Sequence, residues 1–255
     1  MHVEQVVLLI LAAAAAGWVD AVVGGGGLIQ LPALMLLNPG QPVATALATN
    51  KIASIAGTST AAVAYLRKAK PDVRVALPAA GLAVCCAAGG ALCAAAISSE
   101  LLKPVIMVVL LAVAAIVVLR PDLGRVPALV LRTRRRTAAA ILIPGVPIAF
   151  YDGLIGPGTG TFLVLAFTTL LGVDFVNASA NAKIINTGTN LGAVIVFAAQ
   201  GHVLWALGLV MAVCNMAGAL LGARMAISRG AGFVRVVLLC VVGGLVLKLG
   251  YEQFA

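Results

Sequence analysis

The 255-residue chain is 62% hydrophobic and 10% charged, with a formal net charge of +9. That balance excludes an ordinary water-soluble globular domain. Apolar stretches of about 18 residues or more recur along the whole length, each able to cross a hydrocarbon core of roughly 30 Å, so the composition indicates an all-α, polytopic membrane protein embedded in a lipid bilayer.

In such a protein the excess of Lys and Arg reads as loops held in the cytoplasm, not as a surface for nucleic acid. The cysteines (Cys85, Cys86, Cys93, Cys214, Cys240) all lie in apolar stretches. Their number is odd and no Cys-x-x-Cys or Cys/His cluster occurs, which indicates neither a disulfide framework nor a metal site. No cofactor motif is present.

In chain order, the start Met-His-Val-Glu lacks a basic n-region, so Val3–Ala21 reads as a retained membrane helix and not a cleaved signal. The first span, about Val6–Val22, runs into the four glycines Gly24–Gly27. Glycine weakens a helix and frees the backbone to leave it. The next apolar piece, Leu28–Leu37, is roughly 15 Å long as helix and too short to cross alone. A turn cluster at Asn38–Pro42 precedes a long helix, about Val43–Leu66, which ends at Arg67-Lys68-Ala-Lys70-Pro71. Spans at about Val75–Ile97 and Leu101–Leu119 follow, then an arginine-rich linker, 120–136.

The second half repeats this order. Its first span, about Ala138–Ile155, carries Pro144 and Pro147 and breaks at Gly156–Gly160. A short piece at Thr161–Leu171, a long helix at Val176–Ala199 and spans near Val203–Ala226 and Phe233–Leu249 complete it. Asp20 matches Asp152, Gly24 matches Gly156 and Lys51 matches Lys183 at one constant offset without a gap. The chain therefore reads as a duplication: a first membrane repeat at 1–119, the linker at 120–136 and a second repeat at 137–255.

Charge sets the orientation of the halves. The loop carrying Arg67, Lys68, Lys70 and Arg74 is strongly basic, whereas its counterpart at Gln200–Val203 has no Lys or Arg. The loop at Ser98–Lys103 is almost neutral, whereas its counterpart holds Arg224 and Arg229, with Arg235 just beyond. Placing the linker and both basic loops inside leaves only Lys103 and Lys248 outside. This requires inverted repeats with an odd number of crossings each: five per half, if each broken first helix and the short piece after it count separately. Both termini then face outward.

Lys51 and Lys183 are the sharpest candidates for chemistry. Each lies about 13 Å into a long apolar helix. A lone lysine there can snorkel to the interface. Two at matching positions favour a cavity or a partner, since an intramembrane charge costs at least about 2.5–3.5 kcal/mol. Lys51, Ser54 and Thr58 share one helical face, as do Lys183, Asn186 and Asn190. A cation followed by hydrogen-bonding groups, twice over, describes a site for a small oxyanion, with Asn50 and Asn181 beside it. The breaks, through Gly25, Gly26, Gly158 and Thr159, would add backbone donors at half-helix ends. Close helix packing is the competing account of these glycines. No Gly-Lys-Ser/Thr follows them, which argues against a nucleotide loop. Asp20 and Asp152, four residues before the breaks, read as counter-charges to the lysines, caps or proton carriers, with pairing placed ahead of proton coupling. Gln30 is a weaker candidate, and His2 and His202 read as polar edge residues.

The Gly-rich break after an Asp, the Thr49-Asn50-Lys51 helix, the basic centre and the second copy with Asn181-Ala182-Lys183 resemble the TauE/SafE family of sulfite and organosulfonate exporters. The resemblance covers essentially the whole chain. It implies a multi-pass permease of the bacterial inner membrane that exports a small sulfur-containing anion. A passive anion channel would use the same basic residues. An intramembrane enzyme acting on a lipid phosphate would need a nucleophile–base pair or metal cluster, which the sequence lacks. The substrate is then a small anion, and assembly into a homo-oligomer is compatible with the sequence.

Overall fold

A computed structural model describes residues 3–119 and 133–254, with helices throughout and no strand among them. Most of the linker, residues 120–132, lies outside the described residues, as do His2 and the side chains of Arg235, Cys240 and Lys248.

The helices are α1 (Val3–Val23), α2 (Gly27–Leu37), α3 (Val43–Leu66), α4 (Val73–Ala96), α5 (Ser99–Leu119), α6 (Arg134–Ile143), α7 (Ala149–Leu154), α8 (Thr159–Leu171), α9 (Phe175–Ala199) and α10 (Trp205–Phe254). A π-helical turn, Pro144–Ile148, joins α6 to α7. Two prolines within five residues each lack an N–H for the i−4 carbonyl, and the wider turn accommodates that loss. Thr133 caps α6 by accepting from the Arg136 amide, and Asp174 caps α9 by accepting from the Asn177 amide. At the far end of α9, Gly201 adopts φ +74° and the His202 amide donates to the Phe197 carbonyl. This is a Schellman stop, with His202 at the polar edge of the span.

At the C-terminal end the two expected spans follow each other with a kink between them and no intervening loop. The range given as α10 comprises two helical stretches, which meet at a kink where Gly230 leaves helical geometry (φ 69°, ψ −166°). A single glycine outside helical geometry bends the chain without the polar loop that the local arginines suggest.

Five helical stretches among the described residues are long and apolar enough to cross a membrane: Val3–Val23, Val73–Ala96, Arg134–Leu154, Phe175–Ala199 and Trp205–Gly230. Outward leucines and valines such as Leu11, Leu77, Val108, Leu209 and Val213 are exposed, which suits a surface facing lipid. α3 has 24 residues but does not join that group, since Thr45, Thr49, Asn50, Lys51, Ser54 and Thr58 lower its hydropathy. It sits in the middle instead, and Thr49, Asn50, Lys51 and Thr58 are all buried.

Packing between the halves is reciprocal. α1 lies against α10 and α7 against α4, while α3 meets α10 and α4 meets α9. Small residues set these approaches: a side chain at Gly218 would run into the Ala14 carbonyl, and one at Gly153 into that of Ala87. Dispersion at short range replaces the hydrophobic driving force that lipid does not supply. α3 and α9 meet at the centre, and both helix breaks abut them.

Candidate functional site

The site is built where two helices stop inside the protein. α1 ends at Val23 and α7 at Leu154; the Gly24 and Ile155 amides reach the Asp20 and Tyr151 carbonyls, and the carbonyls after them lose their helical partners. Side chains supply further donors around both breaks. Tyr65 Oη donates to the Ala21 carbonyl (2.9 Å), Thr161 Oγ1 to that of Val23 (2.7 Å) and Lys183 Nζ to that of Asp20 (2.5 Å). At the other break, Tyr151 Oη donates to the Pro157 carbonyl (2.5 Å). The breaks touch: Gly24 has φ +79°, and a side chain there would collide with the backbone of Gly160 and Thr161.

The four charges pair across the halves. Lys51 Nζ lies 2.8 Å from Asp152 Oδ2, and Lys183 Nζ lies 2.6 Å from Asp20 Oδ2. The two pairs differ in kind. Lys183 donates to both the carboxylate and the backbone carbonyl of Asp20, so it also caps the C-terminal end of α1, where a cation is favoured. Lys51 is close to Asp152 but poorly aligned, and Asp152 Oδ2 has no hydrogen-bond partner. The other carboxylate oxygen, Oδ1, accepts from Thr159 Oγ1 at 2.7 Å. Gly156 (φ +92°) leaves the room that this pair needs. A β-carbon there would stand 3.0 Å from both Lys51 Nζ and Asp152 Oδ1.

Lys51 and Asp152 line a small polar cavity with about 20 Å³ open to a water centre, space for one or two waters. Its wall includes Asn50, Ser54 and Thr58 from α3, Asn186 and Asn190 from α9, and Gly158 and Thr159 from the second break. Asn190 Nδ2 sits 3.4 Å from both Thr58 Oγ1 and Asn186 Oδ1, which ties the two long helices together over the cavity. Asn50 Oδ1 is buried without a partner.

The expected residues thus divide. Lys51, Asn50, Ser54, Asn186, Gly158, Thr159, Asp20 and Asp152 surround the cavity. Lys183, Asn181, Gly25 and Gly26 do not line it. Lys183 reaches it only through Asp20. Asn181 donates to the Asn177 carbonyl one turn back. A side chain at Gly26 would crowd the Ala16 carbonyl and Asp20 Cβ, so that glycine serves packing. Gln30 is bound elsewhere, with its Oε1 accepting from Asn215 Nδ2 at 2.8 Å. Tyr65, Tyr151 and Thr161 are functional supports that the sequence reading does not single out. The only signal for them is a hydroxyl near the level of a break. No group of His, Cys, Asp or Glu among the described residues is arranged to hold a metal.

Comparison with known proteins places this architecture. The family model described as "Sulfite exporter TauE/SafE" matches residues 9–249. The "Probable membrane transporter protein ORF9" of Sinorhizobium sp is 36% identical over 91% of this chain and 87% of its own length. The "Probable membrane transporter protein YfcA" of Escherichia coli strain K12 is 32% identical over 93% of this chain and 86% of its own. A "Probable membrane transporter protein" of Haemophilus influenzae is 31% identical over 92% and 91%. No solved structure matches the chain. Helices able to span a bilayer, a charged cavity between two broken helices and relatives matched nearly end to end agree: the chain is a multi-pass membrane protein and belongs to the TauE/SafE family of membrane transporters.

Proposed function

We propose that this transporter exports a small sulfur-containing anion, sulfite or an organosulfonate, across the bacterial inner membrane, and that the anion binds at Lys51. The observation that carries this reading is the buried, poorly satisfied Lys51–Asp152 pair on the wall of a polar cavity. An oxyanion has the charge and acceptor geometry to replace Asp152 beside the ammonium, with Asn50, Ser54, Asn186 and Thr159 able to donate to its other oxygens. The cavity is too small for a tetrahedral oxyanion as it stands, so binding requires the breaks to part or Asp152 to withdraw. The family's description as sulfite exporters supports the sulfur anion, and the relatives' names support transport.

The test is a binding isotherm on purified protein with sulfite, sulfate, sulfoacetate, taurine and thiosulfate, together with flux into proteoliposomes. Lys51→Gln should weaken binding of the preferred anion by about 10- to 150-fold, the range for a hydrogen bond to a charged group. Lys51→Arg should not restore it, because a planar fork does not replace a compact ammonium. Wild-type affinity in Lys51→Gln removes this lysine from the site. Flux that fails to saturate points to a channel, and turnover of a lipid phosphate points to an enzyme.

A further inference from the structure

A second cavity, far larger than the central one, lies between α3 and α10. It has a volume of about 720 Å³, within the usual range for ligand pockets. Its apolar wall includes Val63 and Ala64 of α3 with Leu220 and Ile227 of α10, and its cations are Arg67, Lys68 and Arg224.

The register of the two helices puts those cations at one end. Leu204 N donates to Thr49 Oγ1, Gly208 packs on Ile52, and Gly57 packs on Asn215. α3 and α10 therefore run in the same direction here, and continuing that register brings Arg224 level with Arg67 and Lys68. Three exposed cations stand together at the mouth, and no ion pair among the described residues neutralises them. No lining residue is acidic.

The inner part is dry in character. Its two hydroxyls are turned away from the cavity's contents: Ser59 Oγ donates to the Ile55 carbonyl at 2.6 Å, and Thr60 Oγ1 to that of Ala56 at 2.8 Å. A small soluble anion would touch the mouth and leave the apolar remainder unfilled. An occupant that matches both ends has a negatively charged head and a hydrocarbon tail. From this geometry we infer that the α3–α10 groove is a binding site for an anionic phospholipid. The phosphate sits among Arg67, Lys68 and Arg224, and an acyl chain runs inward along Val63 and Leu220. Basic pockets between membrane helices suit such headgroups, and charge near the surface contributes about fivefold in affinity per cation.

The experiment uses the full-length protein in nanodiscs of phosphatidylcholine, with phosphatidylglycerol added stepwise and lipid occupancy read by native mass spectrometry. Phosphatidylglycerol should be retained in preference to phosphatidylcholine. Arg67→Gln with Arg224→Gln should lower that preference about 25-fold while the thermal midpoint in pure phosphatidylcholine stays at the wild-type value. Should the double variant fold poorly, a photo-crosslinkable phosphatidylglycerol on wild-type protein gives the same answer. Adducts should fall within residues 59–68 and 220–228, and adducts confined elsewhere overturn the site. Equal retention of the two lipids shows that no headgroup is read, which also overturns it. If inorganic phosphate or sulfite displaces the bound lipid at concentrations that occupy the central cavity, the groove is a vestibule for soluble anions and the lipid assignment fails.

Discussion

At the scale of single residues, the two lysines occupy equivalent places in the sequence and unequal ones in the protein. Lys183 holds both the carboxylate and the carbonyl of Asp20, whereas Lys51 faces the cavity with a partner it barely satisfies. Removing one member of a buried pair strands the other, a loss of about 3–5 kcal/mol when the survivor stays charged and buried. Asp20 is 17% exposed, which lowers that figure for Lys183→Gln. Lys183→Gln should therefore lower the thermal midpoint clearly, and adding Asp20→Asn should recover much of the loss. A double-mutant cycle by thermal unfolding in detergent measures it. Additive losses would mean that the pair does not act as a unit. The residues of both pairs are legible in the sequence because charge inside apolar helices is conspicuous. Their division into a cap and a site is not, since both copies carry the same Asp and Lys. What separates them is a carbonyl at the end of α1, and no side-chain pattern encodes it.

At the scale of elements, the breaks decide which glycines matter. Gly24 sits at φ +79° against the backbone of Gly160, so a methyl group there is penalised twice. Gly25 has no such φ, and its added carbon would meet only side chains, the end of Leu28 at 3.3 Å and Val19 and Val23 at 3.7 Å. Gly24→Ala should lose about 1–3 kcal/mol or fail to accumulate, while Gly25→Ala should unfold within about 0.5 kcal/mol of wild type. Thermal unfolding followed by tryptophan fluorescence distinguishes them, and equal losses would return both glycines to a common packing role. Helix limits are legible because the apolar runs end in glycine, proline or charge, as at Val23, Leu37 and Leu66. The tightness of the kink at Gly230 is not, because Arg224, Ser228 and Arg229 together imitate a longer polar loop.

For the whole molecule, we propose that the two halves are inverted in the membrane. Two helix registers support this. α3 runs alongside α10, and α4 runs alongside α9, where Gly188 meets Ala80 and Gly192 meets Val84. The short turn after Leu66 sends the chain back across the bilayer, so α3 and its counterpart α9 then point in opposite directions. The uneven loop charges favour the same arrangement. Cysteines placed at Ala69 and Gly201, on a background lacking the native ones, should be labelled from opposite sides, with Ala69 cytoplasmic. Labelling from the same side would exclude inversion. The duplication itself is visible in the chain, but the crossing of each lysine to the other half's aspartate depends on how the halves dock, which a linear pattern cannot convey.

The crossed pairs also bear on how the protein is made. Among the described residues Lys51 has no acidic partner in its own half; Asp152 belongs to the other. At about 5–20 residues per second, Asp152 leaves the ribosome roughly 5–20 s after Lys51. During that interval α3 is the least apolar of the long helices and holds an uncompensated ammonium, at a cost of about 2.5–3.5 kcal/mol for entering the bilayer centre. The second half therefore relieves a charge that α3 carries alone until Asp152 arrives. A nascent chain stopped before α7 would still hold that unpaired ammonium, and ribosome pausing near the linker would prolong the state.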